Sequence, residues 1–154
     1  MIALVQQGQG FKAITSGIRD KFTKIAIDRA LRTSVLVAHG DVMRRVFNEQ
    51  GATLLNGSNA GRYKVPYLKY RSKFFNRSNK NINFILSGDL SRNFKFERRA
   101  YNIYVMGFSE MGGTSNTTNK EKYKHLSNRF GDFVELDNSE LDMFEKVFLD
   151  SLKD

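Results

Sequence analysis

From Phe22 to Gln50, apolar and small residues return in steps of three and four: Phe22, Ile25 and Ala26, Arg29 and Ala30, Thr33, Leu36 and Val37, Gly40, Met43, Val46 and Phe47. This is the period of a helix, and no proline interrupts it. The pattern predicts one long amphipathic rod, or two collinear helices hinged at His39-Gly40-Asp41. Glycine costs roughly 1 kcal/mol relative to alanine inside a helix, and Asp41 can cap a fresh start. Gly51 stands where a left-handed residue closes a helix.

The C-terminus carries a second helical signal. Asp137 followed by Glu140 makes a capping box, with Leu136 and Leu141 at the positions of a hydrophobic staple. Leu141, Phe144, Phe148 and Leu152 then share one face, with Val147 beside it. A shorter helix from about Lys120 to Arg129 is expected before it, stopped by Gly131.

Between these helices the period changes from three-and-four to two. Asn93-Phe94-Lys95-Phe96-Glu97-Arg98 alternates apolar with polar, and Asn102-Ile103-Tyr104-Val105-Met106-Gly107-Phe108 is a second β-rich run. The two predict a hairpin turning near Arg99-Ala100-Tyr101, with Asn83-Phe84-Ile85-Leu86 as a possible short strand before it. Residues 56–61 and 112–119 are rich in glycine, serine, threonine and asparagine and read as flexible loops. Residues 62–80 mix bases with aromatics around Pro66, which forbids a central strand, so an extended arm or a short helix is expected. The predicted class is α+β: long N-terminal and C-terminal helices packed on a small antiparallel sheet, with an extended basic arm. One domain, 1–154, is expected, with helical residues 1–51, loop and arm 52–82, strands 83–111, loop 112–119 and helical residues 120–154.

Composition narrows the function. The 154 residues, 40% of them hydrophobic, suffice for one core, and without cysteine neither disulfides nor cysteine-ligated metal are available. The longest apolar runs, such as Val35-Leu36-Val37-Ala38, fall far short of the ~20 residues that span a bilayer. Met1-Ile2-Ala3-Leu4-Val5 lacks a basic leader, so a cytoplasmic product with no membrane partner is expected. Charge is more telling. The net charge of +9 is confined to residues 62–99, where eleven lysines and arginines face two acids, Asp89 and Glu97; elsewhere bases and acids balance at fourteen each. Charges of one sign packed so densely repel unless something negative lies beside them.

Candidate chemistry is thin by comparison. His39 and His125 are the only histidines, and a metal site would need them brought together with carboxylates that their spacing does not place. The acids Asp132, Glu135, Asp137, Glu140 and Asp142 lack the every-second-position spacing of a calcium loop. Gly8-Gln9-Gly10 and Gly112-Gly113 lack the flanking strand and helix of a phosphate loop, and Ser87-Gly88-Asp89 is no nucleophile elbow. Asp89 and Glu97 in a basic field suggest a metal-dependent nuclease. Arg99 nevertheless occupies the place where such sites usually carry lysine, and an ion pair of Glu97 with a neighbouring arginine explains the same residues. No catalytic, cofactor or metal residue is therefore assigned, and no small-molecule substrate is expected.

The basic and aromatic segment is the remaining candidate. Its cations and rings suit single-stranded nucleic acid, a protein interface, or a solvated face over core aromatics, and composition does not separate the three. The residues expected to meet a partner are Arg62, Lys64, Tyr67, Lys69, Tyr70, Arg71, Lys73, Phe74, Arg77 and Lys80, with Arg98 and Arg99.

The order of elements, with Leu86-Ser87-Gly88-Asp89-Leu90-Ser91 leading into the hairpin and Asn128-Arg129-Phe130-Gly131 ending the short helix, resembles the tail-completion or head-tail joining proteins of tailed phages. The first motif stands where that family has Thr-Gly-X-Leu and a serine, the second where it has a His/Glu-Phe-Gly. After its Phe-Gly the family has an aromatic or leucine and then a capped terminal helix, matched here by Phe133, Leu136, Asp137 and Leu141. The sequence departs from the family in two places: the proline-rich start of the arm is reduced to Pro66, and the loop after the hairpin lacks the usual alanine-histidine entry, although Lys124-His125 lies close by. The resemblance implies a structural protein of the virion neck, a homo-oligomeric ring between the portal connector and the tail, made in the host cytoplasm. It implies no reaction to catalyse, with DNA in the neck as a possible contact. On the residues alone, the alternative is a basic nucleic-acid-binding protein using residues 62–99.

Overall fold

The computed structural model describes residues 2–3, 23–48, 50–85, 88–108 and 118–153. Phe22, Leu86, Ser87 and residues 112–117 of the second predicted loop lie outside them.

Helix α1 runs from Lys24 to Val46. Thr23 caps it, its hydroxyl accepting from the Ala26 N–H at 3.3 Å, and Arg44 and Arg45 in the last turn complement the helix dipole. The helix passes through Gly40 without a hinge, and Asp41 pairs with Arg44 instead of opening a second helix. Its end is earlier than expected. Phe47 is the C-cap and Gly51 lies beyond it, at φ +135°. A Cβ at Gly51 would meet Asn59 Nδ2 and Asn81 Cβ at 3.0 Å, so glycine here permits a close approach of chains and does not close the helix.

The buried face of α1 is Ile27, Ala30, Ser34, Val35, Ala38, Val42 and Val46, whereas Ile25 and Leu36 are exposed. The helix is the one predicted, but its face is rotated. Val35 to Ala38 are apolar all round, and burial selects the small residues Ala30, Ser34 and Ala38. Ser34 remains satisfied by donating to the Ala30 carbonyl at 2.9 Å.

The chain then forms α2 (Val65–Phe75), α3 (Asp89–Asn93), β2 (Phe94–Ala100), β3 (Ile103–Phe108), α4 (Asn119–Phe130) and α5 (Asn138–Ser151). A two-residue strand β1, Ile2–Ala3, completes an antiparallel sheet in the order β1-β3-β2. The architecture is thus α+β, with long N- and C-terminal helices and a small antiparallel sheet. In the hairpin Phe94 faces Phe108, Phe96 faces Met106 and Arg98 faces Tyr104, with an irregularity between Arg98 and Ala100. The turn is Tyr101-Asn102; Asn102 adopts φ +59° and donates its N–H to Asp28 of α1 at 3.0 Å.

Helix α5 begins where the sequence places it, whereas α4 takes Thr118 as its cap and the buried Asn119 as its first residue from the predicted loop; both carry capping boxes, Thr118 with Glu121 and Asp137 with Glu140. Gly131, at φ +73°, ends α4. Phe144, Phe148 and Leu152 are buried as expected, but Leu141 is largely exposed. Ile27 and Ala30 meet Phe148 and Leu152 at one end, and Arg45 meets Glu140 at the other, so α1 and α5 pack antiparallel. The main core joins α1 to Phe94, Tyr104 and Met106 of the sheet and to Phe133, Val134 and Phe144.

Arg45 bolts this core. Its side chain donates to both carboxylate oxygens of Glu140 (2.8 and 3.0 Å) and to the carbonyls of Thr53, Phe133 and Glu135, which engages its whole donor fork. Glu140 in turn accepts the Asp137 N–H at 2.9 Å. One half-buried guanidinium therefore ties α1 to the start of α5.

Candidate docking surface

Residues 51–63 and 80–82 form a short irregular ladder: Ala52 N–H to Ile82 O, Ile82 N–H to Gly61 O, and Tyr63 N–H to Lys80 O. The Arg62↔Asn81 bridge closes it, making everything between an excursion whose two ends are clipped together. Within that excursion the basic segment, expected as an extended arm or a short helix, is a helix, α2. Pro66 sits in its first turn, where a missing N–H costs nothing, and Asn76 ends it at φ +49°. The glycine-containing loop at 56–61 is built from turns in which Asn56 and Asn59 carboxamides accept the N–H groups of Ser58 and Gly61.

Helix α2 is unusual in what it buries. Its one buried residue is Arg71, at 0% exposure. The guanidinium donates to Ile85 O at 2.6 Å, Asn83 Oδ1 at 3.2 Å and Asn79 O at 3.3 Å, and lies 4.0 Å above the Tyr63 ring. Among the described residues Nε has no hydrogen-bond partner. Arg71 is therefore not a partner-binding residue, as its place in the basic segment suggests, but the bolt that holds the helix down. The same contacts explain why 83–85 is no strand. Asn83 turns its carboxamide back to the Ile85 N–H at 3.2 Å, and Phe84 takes φ +52°.

With an arginine as the anchor, three of the four aromatic residues of α2 are left outside, and Phe75 is half-buried. Tyr67, Tyr70 and Phe74 are 39%, 46% and 61% exposed and succeed one another at helical spacing. Their rings make a continuous ladder from Tyr63, with centroids 5.2, 6.1 and 5.0 Å apart. Lys69 is exposed on the same helix, and Lys73 Nζ stands 5.3 Å from the Phe74 centroid. Burial against its neighbours raises the Tyr67 hydroxyl pKa above its ordinary value, with Tyr63 adding to the effect, so it stays protonated and uncharged.

At the N-terminal end of α2 the described residues enclose a cavity of about 590 Å³. Ile82, Phe84, Leu90, Leu126 and Phe130 give it apolar walls, with Tyr63 and Tyr67 on the α2 side. Phe84 is held in its left-handed conformation by stacking on Phe133 at 4.4 Å and an edge contact to Phe130 at 5.2 Å. The charged lining is nearly all of one sign: Arg62, Lys64, Lys122 and Arg129 against Asp89, with His125 also in the wall. Asp89 is buried and already paired, to Arg92 at 2.8 Å and to Lys122 at 3.9 Å. No carboxylate among the described residues pairs with Arg62, Lys64 or Arg129; Arg129 instead stands 4.9 Å from the Phe130 ring centroid.

Of the other expected site residues, Arg77 is half-buried just past α2 and Lys80 is exposed. Arg98 and Arg99 belong to the hairpin, where Arg98 pairs with Asp28 at 3.1 Å and Arg99 with Glu97 at 3.3 Å. The pair at Glu97 is the non-catalytic explanation weighed for that residue. His39 is a half-buried, hydrogen-bonded histidine, stacked on Phe94 at 5.3 Å, with Nε2 3.0 Å from the Phe94 carbonyl oxygen. Among the described residues no group of three metal-ligating side chains forms, and no helix is long and apolar enough to cross a membrane.

Sequence reasoning missed the contribution of α4 to the cavity. Lys122, His125, Leu126 and Arg129 stand at steps of three, one and three, which places a basic and apolar stripe on one helical face. That signal was available in the sequence; its juxtaposition with Arg62 and Lys64 was not. Comparison with known proteins adds no assignment: no family model matches this chain, and no curated protein or solved structure does.

Proposed function

We propose that this chain is a structural joining protein of the tailed-phage neck, a ring subunit made in the host cytoplasm and carried in the virion between the portal connector and the tail. The observation that carries the reading is the α2 surface. Three large aromatic side chains stand in water beside lysines, on a helix clipped at both ends and fastened by a buried arginine. Contiguous exposed apolar surface of this kind marks macromolecular contact, and aromatics with cations are what dominates the energy of such contacts. The order of motifs supports the same reading, since Gly88-Asp89-Leu90-Ser91 opens α3 ahead of the hairpin and Arg129-Phe130-Gly131 closes α4. The reading assigns the chain no reaction, cofactor or membrane. Its test is mass spectrometry of purified phage particles that encode the chain: it should be present in them, and its absence rejects the proposal.

One observation favours a second reading. Tyr67 and Tyr70 are nearly parallel, at 21°, with lysines beside them, an arrangement on which bases of single-stranded nucleic acid stack. An oligonucleotide shift assay decides it, because phosphate contacts weaken steeply with salt; absent or salt-insensitive binding excludes it.

A further inference from the structure

The cavity at the end of α2 has an electrostatic and chemical character that defines its occupant more narrowly than the exposed helix does. We infer that it receives a protein segment presenting a large aliphatic or aromatic side chain flanked by carboxylates. This deepens the docking reading of α2 and rests on it.

Three observations converge. At about 590 Å³ the cavity falls within the range of built ligand sites, ~300–1,000 Å³. Its walls, Phe84, Leu90, Leu126 and Phe130 among them, offer hydrocarbon and ring surface, and the charged groups of the lining are nearly all cations, which donate and do not accept. A nucleobase laid against those four walls would leave donors of its polar edge unpaired, which costs free energy; a leucine or phenylalanine side chain would not. Around the mouth stand Arg62, Lys64, Lys122 and Arg129, while the only acid of the lining, Asp89, is already engaged by Arg92 and Lys122. A carboxylate on the incoming chain therefore meets Arg62, Lys64 and Arg129, with which no carboxylate among the described residues pairs, and can form charge-assisted hydrogen bonds to them.

Continuity argues for a protein and against a small amphiphile such as a fatty acid. Tyr67 belongs both to the cavity wall and to the exposed ladder that continues through Tyr70 to Phe74. A segment anchored in the cavity can run on along α2, whereas a free acid uses the cavity alone.

The test uses the full chain and a fluorescein-labelled peptide in which one leucine and one phenylalanine are flanked on each side by two carboxylates. Controls are the same peptide with lysines for the acids, the same peptide with alanines for the apolar pair, myristate, and an oligo-dT of twelve nucleotides. The acidic apolar peptide should bind, and both altered peptides should bind at least ten times more weakly. The double variant Lys64→Glu/Arg129→Glu alters two exposed side chains, so circular dichroism and the unfolding midpoint should match the wild type, and it should lose at least tenfold in peptide affinity. Unchanged affinity in that variant overturns the inference. So does preferential binding of the oligonucleotide or of myristate, or no binding by any probe. A Tyr70→Ala/Phe74→Ala variant separates the two levels. If it abolishes peptide binding and the charge-reversed variant does not, the occupant lies on α2 and not in the cavity, and the cavity assignment falls while the docking role of α2 stands.

Discussion

Replacing Arg71 by methionine tests how α2 is held. Methionine matches the length of the aliphatic stem and fills much of its volume, but it strips the Ile85 carbonyl, bonded at 2.6 Å, and Asn83 Oδ1, bonded at 3.2 Å, of a charged donor. The orphaned Ile85 carbonyl costs about 1–3 kcal/mol, and Asn83 Oδ1, which keeps the Ile85 N–H and the Tyr63 hydroxyl, loses a charged hydrogen bond worth about 1.5–3 kcal/mol. Loss of the guanidinium stacked 4.0 Å over Tyr63 adds about 1 kcal/mol. The change also relieves a burial cost, since no carboxylate among the described residues pairs with Arg71. The net is about 2–4 kcal/mol, and it falls on α2, because nothing else in that helix is buried. At about 1.4 kcal/mol per decade, amide exchange in α2 should accelerate roughly 30- to 700-fold, measured by hydrogen–deuterium exchange with mass spectrometry. Amides of α1 and α5, held by the separate Arg45 bolt, should keep their protection. Arg71→Lys should rescue little, as lysine has no planar fork to reach several acceptors at once. Unchanged exchange in α2, or an equal acceleration in α2 and α5, refutes the idea that this arginine is the helix's own fastening.

Arg45→Ala leaves Glu140 charged, buried and without its bidentate partner, and should lower stability by about 3–5 kcal/mol in urea unfolding; adding Glu140→Gln should restore part of it. Gly51→Ala places a Cβ 3.0 Å from Asn59 and Asn81 at a φ of +135°, and should cost about 1–3 kcal/mol by the same assay. Burial raises the Asp137 carboxyl pKa, but the Glu140 N–H, the Ser139 hydroxyl and Arg45 outweigh it and hold the group below its ordinary value. A depressed folded-state pKa means a contribution complete above the unfolded-state value and lost as pH falls through the folded one. Unfolding midpoints measured from neutral pH down through the carboxylate range should therefore decline, and Asp137→Asn should flatten that decline.

The hairpin, α4 and α5 were legible in the sequence because each announces itself locally. Strand β2 alternates and β3 is rich in β-forming residues, α5 opens with a capping box, and Gly131 closes α4. The face of α1 was not, because Val35-Leu36-Val37-Ala38 is apolar in every direction and contact with α5 chooses which side is buried. Asn83-Phe84-Ile85 looks like a strand for a similar reason: an apolar run reads alike whether it pairs in a sheet or is buried irregularly. What decides against a strand is the Asn83 carboxamide and a guanidinium twelve residues away. The basic segment was legible as a surface but not in its division of labour. Nothing local separates Arg71, fully buried, from Lys69 and Lys73 on either side of it. The cavity depends on bringing 62–67 beside 122–130, a long-range contact that no pattern within either segment contains.

The most direct test of the account is hydroxyl-radical footprinting of Tyr70 and Phe74 in the free chain and in purified particles that contain it. Both rings are exposed in the free chain and should be oxidised readily there. Assembly should suppress their labelling at least fivefold, while Tyr101 in the hairpin turn, also exposed, serves as the internal reference. Equal labelling of Tyr70 and Phe74 in the two states would contradict the claim that α2 exists to meet another macromolecule.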